Sequence, residues 1–401
     1  MTYRELLEKY KVGTLTEDEK ILVEQELEKS EAINDYLAEE IEKSLLAKNE
    51  GTTDTRNEKI KIEKSIKRMV YKRLAAVVVI SVVCVFVINL IIQYIISPLV
   101  SSQYYDPTRK TSGQKYQQDF AYDIQAVTEV SEPEYVIRGY PYAEKLGFGK
   151  YNIYYERENL FTKEKETVGA QINKSKRVGG LDNFYTNQES YLFTKLWNGQ
   201  EGSSGYEMSL EMNKRKTETQ IAHIRDLPST SYISAWVRFS DDLTMEELCK
   251  YEYFTFKDID FKWIAVRTAE NHQLMGFYSS STDILAIGDR IDQDRYPGFQ
   301  LQYLMSTPYD TSFVDFMAKS YETHYTSLLK YLVDHQDAVA TLVGSTNSFS
   351  YKSALEYAEN SGVRAYGALV FGEADELLKL YDSGNILTLT IDNVIASQYI
   401  Q

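Results

Sequence analysis

The sequence predicts a multi-domain chain with a small all-α cytosolic head, one transmembrane helix and an extracytoplasmic α+β (mixed α/β) domain in two modules. Three patterns predict this. The first fifty residues space apolar side chains as helices do, residues 74–96 form one long apolar run, and the chain after residue 119 alternates strand-like and helix-like segments. The predicted domains are a helical head (1–50), a linker with a basic juxtamembrane helix (51–73), a transmembrane helix (74–99), a polar stalk (100–118), a β-rich module (119–225) and an α/β module (226–401).

The apolar run at residues 74–96 contains no charged residue and three clearly polar ones, Ser81, Asn89 and Gln93. At about 1.5 Å per residue, a helix of this length just exceeds a hydrocarbon core of about 30 Å. A buried helix in a soluble core is the alternative, but such helices are usually shorter and more polar. We expect a single-pass membrane anchor. Asn89 and Gln93 form a transmembrane polar pair that could bond a second membrane helix, or could simply be tolerated near the interface.

Basic residues are concentrated before the run and are scarce after it. The residues before it are Lys59, Lys61, Lys64, Lys67, Arg68, Lys72 and Arg73, and those after it, as far as residue 115, are Arg109, Lys110 and Lys115. This excess predicts a cytoplasmic N-terminus and an extracytoplasmic C-terminal domain in the cell membrane. Some seventy residues precede the run, which favours a retained anchor over a cleaved signal peptide. The last four basic residues before the run, Lys67, Arg68, Lys72 and Arg73, are a basic membrane collar suited to anionic lipid.

Charge and cysteine content exclude some classes of function. The net charge is −15, of which residues 1–50 carry −7 and residues 51–73 carry +5. An acidic head favours a basic protein partner and disfavours direct binding to nucleic acid. Cys84 lies inside the apolar run and Cys249 beyond it, so no intramolecular disulfide is expected.

The head is predicted to contain three short helices. Tyr3, Leu6, Leu7 and Tyr10 begin the first, a capping box from Thr16 to Glu19 opens the second, and Ile33, Leu37, Ile41 and Leu45 predict the third. Helices of this size bury little apolar surface alone, so we expect a docking module, the alternative being a solvated tail. A fourth helix is expected to start near Glu58 and continue into the membrane.

The head resembles the N-terminal domain of membrane-bound anti-sigma factors. The resemblance rests on Tyr10, Gly13, Leu15, Glu19, Val23, Glu24 and Leu27. Many members of that family carry a zinc motif, His-x3-Cys-x2-Cys, whose places here are taken by Glu26, Ser30 and Ile33. None of these matches the metal ligands. The resemblance therefore implies a zinc-free variant without a cofactor.

The external part is predicted to open with strands at residues 120–127 and 151–155 around a Gly147-Phe148-Gly149 turn, with loops at 162–180 and 198–220. Pro98 is expected to close the membrane helix before a soft stalk that could act as a tether or a cleavage site. Beyond residue 226, strands are expected at 233–239, 261–267, 366–371 and 386–391, and helices at 244–254, 313–334, 351–360 and 373–380.

Two further resemblances concern the bacterial sigma factor regulator family. YYDP at 104–107 and GFGKYNIYYERENLFT at 147–162 resemble its N-terminal module, and YISAWVRFSDDLTMEEL at 232–248 and GVRAYGALVFGEADELLKL at 362–380 resemble its C-terminal module. Membership implies a membrane anti-sigma factor. It would restrain an extracytoplasmic-function sigma factor through the head and sense envelope stress outside.

No enzyme is expected. The four histidines, His223, His272, His324 and His335, show no metal-binding spacing, and neither a Gly-x-Ser-x-Gly elbow nor a phosphate loop is present. Asp334 and His335 could join a triad with a serine only on paper. No catalytic residue, metal ligand or cofactor is therefore predicted.

The resemblance and the helical patterns together predict where a sigma factor would bind. The alternative is an envelope scaffold or receptor that binds a wall component or a partner membrane protein without any sigma factor. A second membrane protein or a protease at the stalk is a further possible partner. The predicted sigma factor contacts are Tyr3, Leu6, Leu7, Tyr10, Glu17, Asp18, Val23, Glu24, Leu27, Glu28, Ile33 and Leu37.

Overall fold

A computed structural model describes most of the chain. The described residues are 9–10, 13, 16–46, 55–110, 117–179, 196–197, 199, 201–268, 274–280, 291–305, 312–343 and 347–397. The chain separates into two compact units, Met1–Phe86 and Val87–Gln401, and each is described by itself.

The first unit contains one uninterrupted head helix. Helix α1 covers Glu17–Leu46, so the prediction of two separate helices in this stretch is wrong. No Gly or Pro lies in these thirty residues, and nothing local breaks the hydrogen-bond ladder. The predicted first helix around Tyr3, Leu6 and Leu7 lies outside the described residues.

Helix α2, Thr55–Ile91, runs from the juxtamembrane segment into the apolar run, which confirms the prediction of one continuous helix there. In the part of the chain that is described, Lys61–Ser101 is the helical stretch long and apolar enough to cross a membrane. None of its most apolar window is buried. The run is therefore a candidate membrane span.

The helix continues beyond Pro98, contrary to the expectation that it ends there. A π-helical turn, Ile92–Ile96, precedes a short helix α3, Ser97–Ser101, with Pro98 in its first turn. The N–H of Ser97 donates to the carbonyl of Ile92, five residues back. The wider turn shifts the hydrogen-bond register just before proline, whose missing N–H and bulky ring would otherwise break the ladder.

A four-stranded antiparallel sheet follows in the second unit. Its order is β1-β2-β3-β4, and the strands are Tyr135–Gly147, Lys150–Asn159, Lys165–Asn173 and Lys176–Val178. The strand predicted at 151–155 and the turn before it are confirmed. The prediction of a loop at 162–180 is wrong, since β3 lies within it. The strand was hard to predict because it buries mainly Val168 and Ile172, and its other side chains are mostly polar and face solvent.

Helix α4, Asp119–Ser131, replaces the strand predicted at residues 120–127. All but the last of its thirteen residues are buried. A helix covered on every side has no solvent-facing side, so its sequence lacks the helical period of apolar and polar residues. The alternation of Phe120, Tyr122, Ile124 and Ala126 arises by chance and wrongly indicates a strand. The helix contributes to two apolar cores, one under each sheet.

The second sheet is antiparallel, in the order β7-β6-β8-β5-β9. Four of its strands confirm the predicted ones, and β7 is additional. Their bounds are Tyr232–Thr244 (β5), Asp260–Val266 (β6), Met275–Tyr278 (β7), Arg364–Glu373 (β8) and Ile386–Ile395 (β9).

The helices around this sheet largely follow the predictions. The capping box between Thr244 and Glu247 is formed, but its helix ends at Lys250 and gives way to a π-helical turn, Tyr251–Thr255. The bounds are Tyr206–Asp226 (α5), Met245–Lys250 (α6), Leu301–Met305 (α7), Phe313–Asp334 (α8), Gln336–Leu342 (α9), Asn347–Ser361 (α10) and Ala374–Asp382 (α11).

Helix α5 stands where a loop was predicted, and it covers the outer edge of the second sheet. The Thr217 hydroxyl accepts from the N–H of Leu389 at 3.0 Å, and the Gln220 amide oxygen accepts from that of Ile391 at 3.3 Å. In this helix only Thr217, Ile221 and Ile224 are buried. So narrow an apolar stripe among many charged residues gives too weak a helical period to predict the helix. The helix accepts hydrogen bonds from N–H groups of the edge strand β9, which would otherwise be open to pairing with another chain.

Candidate functional site

The head helix α1 brings the predicted apolar contacts onto one face. At about 100° per residue, Val23, Leu27, Ile33 and Leu37 fall within about 120° of the helix circumference. Val23 is buried, whereas Leu27, Ile33 and Leu37 are 43%, 60% and 43% exposed. Because the two predicted helices are one, these residues form a single stripe, which would be available to a partner.

The predicted acidic contacts lie beside this stripe. Glu24 and Glu28 are exposed, and the hydroxyl of Tyr10 donates to Glu24 at 3.4 Å. Glu17 and Asp18 lie in the first turn of α1, where acids also favour the helix dipole. Tyr3, Leu6 and Leu7 lie outside the described residues.

The residues taken as the equivalents of zinc ligands lie on the same helix. Glu26 pairs with Lys29 at 2.7 Å, and Ser30 and Ile33 are exposed. The described residues contain no group of three or more His, Cys, Asp and Glu side chains able to hold a metal ion. The absence of zinc stays a prediction.

The residues of the predicted collar and polar pair lie on the helical stretch that contains the candidate span, and their roles stay predictions. Lys67, Arg68, Lys72 and Arg73 are exposed on α2. Asn89 is exposed near the end of α2, and Gln93 is exposed in the π-helical turn.

The C-terminal end of this helical stretch is bonded to the turn between β1 and β2. The hydroxyl of Ser97 accepts from the N–H of Phe148 at 3.0 Å, and that of Ser101 accepts from the N–H of Gly149 at 2.9 Å. Both serines are buried. We call these two hydrogen bonds the helix–hairpin contact. This contact was not predicted, although two serines one turn apart directly after the apolar run indicate that the helix is bonded to other structure there.

Residues 101–110, predicted as the first part of a soft stalk, are also bonded to other parts of the second unit. The N–H of Tyr105 donates to the Ser175 hydroxyl at 2.9 Å, and Arg109 pairs with Asp119 at 2.6 Å. Asp119 is buried, so its pairing with Arg109 compensates a carboxylate removed from water. This part of the stalk is therefore packed against folded structure.

A buried carboxylate in α4 gathers side chains from distant parts of the unit. Asp123 accepts from the hydroxyls of Tyr105 at 2.5 Å and Tyr331 at 2.8 Å, and from Nδ1 of His335 at 3.2 Å. Burial, followed by the charge of Asp123, raises the pKa of both tyrosines well above the usual value. Both therefore stay neutral donors, and Asp123 ties the segment after the membrane helix to α8.

A second buried pair joins α4 to α8. His324 Nδ1 lies 2.6 Å from the carbonyl of Gly298, and its Nε2 lies 2.7 Å from Glu129 Oε1. A carbonyl only accepts, so Nδ1 donates. One proton must then lie between Nε2 and the carboxyl group, either on an imidazolium or on a carboxylic acid.

Asp242 is paired with two buried arginines. Arg267 binds it through two hydrogen bonds of 2.7 and 2.9 Å, and Arg238 lies at 3.2 Å. Burial acts to raise the pKa of this carboxyl, but the hydrogen bonds from Arg267 and the positive charges of the neighbouring arginines together hold the pKa below its usual value. The cluster holds β5 to β6 and leaves Asp242 charged.

A groove of about 430 Å³ lies between α8, α10 and the segment before α7. Charged residues of both signs line it, among them Arg295, Lys319, Glu322 and Glu359. No predicted site residue lines this groove. The mixed charge favours neither a cationic nor an anionic ligand.

Glu252 gives the second unit a pH-dependent stability. Burial raises the pKa of Glu252 to about 7, although hydrogen bonds from Tyr321 and Ser279 oppose the rise. Between pH about 4.5 and 7 the folded chain thus holds a proton that the unfolded chain releases, and stability falls as pH rises through this window. We expect Glu252→Gln to be more stable than the native chain by about 1–2 kcal/mol at pH 8, a value reduced for partial exposure, and nearly equal at pH 4.

Thermal unfolding of the full chain in detergent at both pH values measures this difference. The variant Glu246→Gln, in the neighbouring exposed pair with Lys250, is the control and should show no such pH-dependent gain. An equal gain for Glu252→Gln at pH 4 and pH 8 would contradict the assignment.

Comparison with known proteins bears on the second sheet. Residues 224–393 match the family model described as sigma factor regulator C-terminal. The match starts two residues before the predicted boundary at 226 and covers the five strands of that sheet except the last two residues of β9. The prediction of a sigma factor regulator C-terminal region is confirmed, while the N-terminal module at 104–107 and 147–162 stays a prediction. No curated protein and no solved structure matches the chain.

Proposed function

We propose that the chain is a single-pass membrane anti-sigma factor. The observation that carries the proposal is the match of residues 224–393 to the sigma factor regulator C-terminal family, in a chain that also has a candidate membrane span. The head would hold an extracytoplasmic-function sigma factor at the cytoplasmic face and keep it from RNA polymerase. The role is not enzymatic.

The exposed stripe of α1 supports the head as the binding element. Leu27, Ile33 and Leu37 expose apolar surface in the described structure, with Glu24 and Glu28 beside them. An amphipathic helix of this kind binds a groove through apolar anchors, and its acids select a basic surface. Retention of the partner should therefore weaken as salt is raised.

The helix–hairpin contact supports a route by which envelope state would reach the head. Two hydrogen bonds join α3 to the external hairpin, so a change in the external modules would bear on the membrane helix directly. We propose that this helix transmits the change toward the cytoplasmic side and releases the sigma factor.

The test uses the tagged full chain in detergent with extracytoplasmic-function sigma factors of the same organism, each produced singly. We expect one of them to be retained at low salt. Leu37→Glu should lower retention at least about 30-fold, because it places a charge in the apolar contact, a cost of about 2 kcal/mol or more.

Ile21→Glu is the matched control. Ile21 is 51% exposed on the same helix and lies about 160° around the axis from Leu37. The new acid lies about 20° around the axis from Glu28, on the flank that faces a basic partner surface, so it should not lower retention more than about threefold. If no sigma factor is retained by the native chain at low salt, the proposed function fails and the scaffold or receptor alternative takes its place.

A further inference from the structure

The tip of the β1–β2 hairpin exposes apolar side chains beside the end of the candidate span. Leu146 is 47% and Phe148 is 39% exposed. The N–H of Phe148 donates to the hydroxyl of Ser97, the residue that directly follows the apolar run. The tip therefore lies at the level where the run would leave the hydrocarbon.

The turn itself holds Phe148 in an unfavourable backbone conformation. Gly147 pairs with Lys150, so Phe148 and Gly149 form a two-residue connection, with φ values of +55° and +72°. This is the type I′ geometry, for which Asn-Gly is strongly preferred because both central residues have positive φ. Phenylalanine rarely adopts it. A bulky aromatic kept at a strained and exposed position indicates a function for its side chain.

The surroundings of the tip are those of a membrane–water interface. Lys145 and Lys150 flank the turn and are exposed. Tyr94 is 73% and Leu99 is 64% exposed on the helix at the same end. Aromatic rings and lysines with long apolar stems are the residues that concentrate at the level of the lipid headgroups.

We propose that the β1–β2 turn is a second membrane contact, in which Phe148 and Leu146 insert among the headgroups and upper acyl chains of the phospholipid leaflet around the end of the helix. The inference rests on the proposed membrane span. The helix–hairpin contact sets the depth of the turn, and the flanking lysines lie at the headgroups.

The experiment places tryptophan at the tip in the full chain, reconstituted in phosphatidylcholine–phosphatidylglycerol vesicles. F148W is compared with Y140W, which lies seven residues before Gly147 on the same strand and is 71% exposed as Tyr140. A nitroxide-labelled lipid with its spin label near the headgroup is the quencher. We expect the added emission of F148W to be quenched at least about twofold more than that of Y140W. Equal quenching overturns the proposal.

Two further measurements make the outcome unambiguous. Alkaline washing of the vesicles tests the span: loss of the chain overturns both the span and the turn contact, whereas a retained chain with unquenched F148W overturns the turn contact alone. F148N restores the preferred Asn-Gly turn. Added to an L146W reporter, it should lower quenching at least about twofold while amide exchange in β1 and β2 stays unchanged, and unchanged quenching overturns the role of Phe148.

Discussion

Replacing Glu129 by leucine is expected to lower the free energy of unfolding of the second unit by about 3–5 kcal/mol. Glu129 and His324 are 3% and 2% exposed. The carboxyl group of Glu129 is the hydrogen-bond partner of His324 Nε2, at 2.7 Å. Leucine leaves that nitrogen buried and unpaired, and leaves any imidazolium charge uncompensated. The substitution also removes the acceptor of the Tyr278 N–H, 3.4 Å away.

Amide exchange of the full chain in nanodiscs measures the loss. Amides of β5 that exchange through global unfolding should speed up by about 10²–10⁴-fold. Glu129→Gln is the matched control, because its amide group can donate to Nε2 of a neutral imidazole, and it should cost less than about 1 kcal/mol. Equal acceleration by the two substitutions would show that a neutral amide donor cannot replace the Glu129 carboxyl group and would contradict the expected result for Glu129→Gln.

Substituting Gly149 by alanine is expected to release the segment after the membrane helix from the hairpin. A Cβ at Gly149 would lie 2.8 Å from the ring of Tyr104, and the residue has φ of +72°. The clash pushes the turn from α3 and weakens the bond between Ser101 and the Gly149 N–H. Trypsin cleavage after Arg109 and Lys110 should accelerate about 10–100-fold, since it requires local opening.

Gly139, in the adjoining strand β1, supplies the matched control. Its φ is +67°, but a Cβ there meets nothing within 4 Å. Gly139→Ala therefore carries the same backbone strain without the clash and should leave cleavage at Arg109 and Lys110 within about threefold of the native rate. A comparable acceleration in both variants would attribute the effect to backbone strain instead of contact with Tyr104.

Docking of residues 101–110 bears on how a signal could pass through the chain. A soft stalk favours regulated cleavage, whereas a packed segment favours mechanical transmission. Arg109 paired with buried Asp119, and Tyr105 bonded to Asp123, place this segment in the second class. Gly149→Ala therefore also gives a chain in which the β1–β2 hairpin is uncoupled from α3.

Much of the architecture could be predicted because its signals are local. The apolar run needs only composition and length, the Thr244–Glu247 capping box spans four residues, and the alternation in β5 reflects one face turned to the core. The head helix was divided wrongly because two apolar patterns were read separately, although no breaker lay between them.

By itself the sequence determined the membrane-length helix, its basic collar, most strands of the second sheet and the resemblance borne out over residues 224–393. Only the tertiary structure decided that α4 is a helix, because burial on every side removed the periodicity that reveals one. It also decided that Asp123 and Glu129 pair with residues some two hundred positions away, and that Ser97 and Ser101 bond to the hairpin turn. Such contacts depend on chain reversals and packing, which no local pattern encodes.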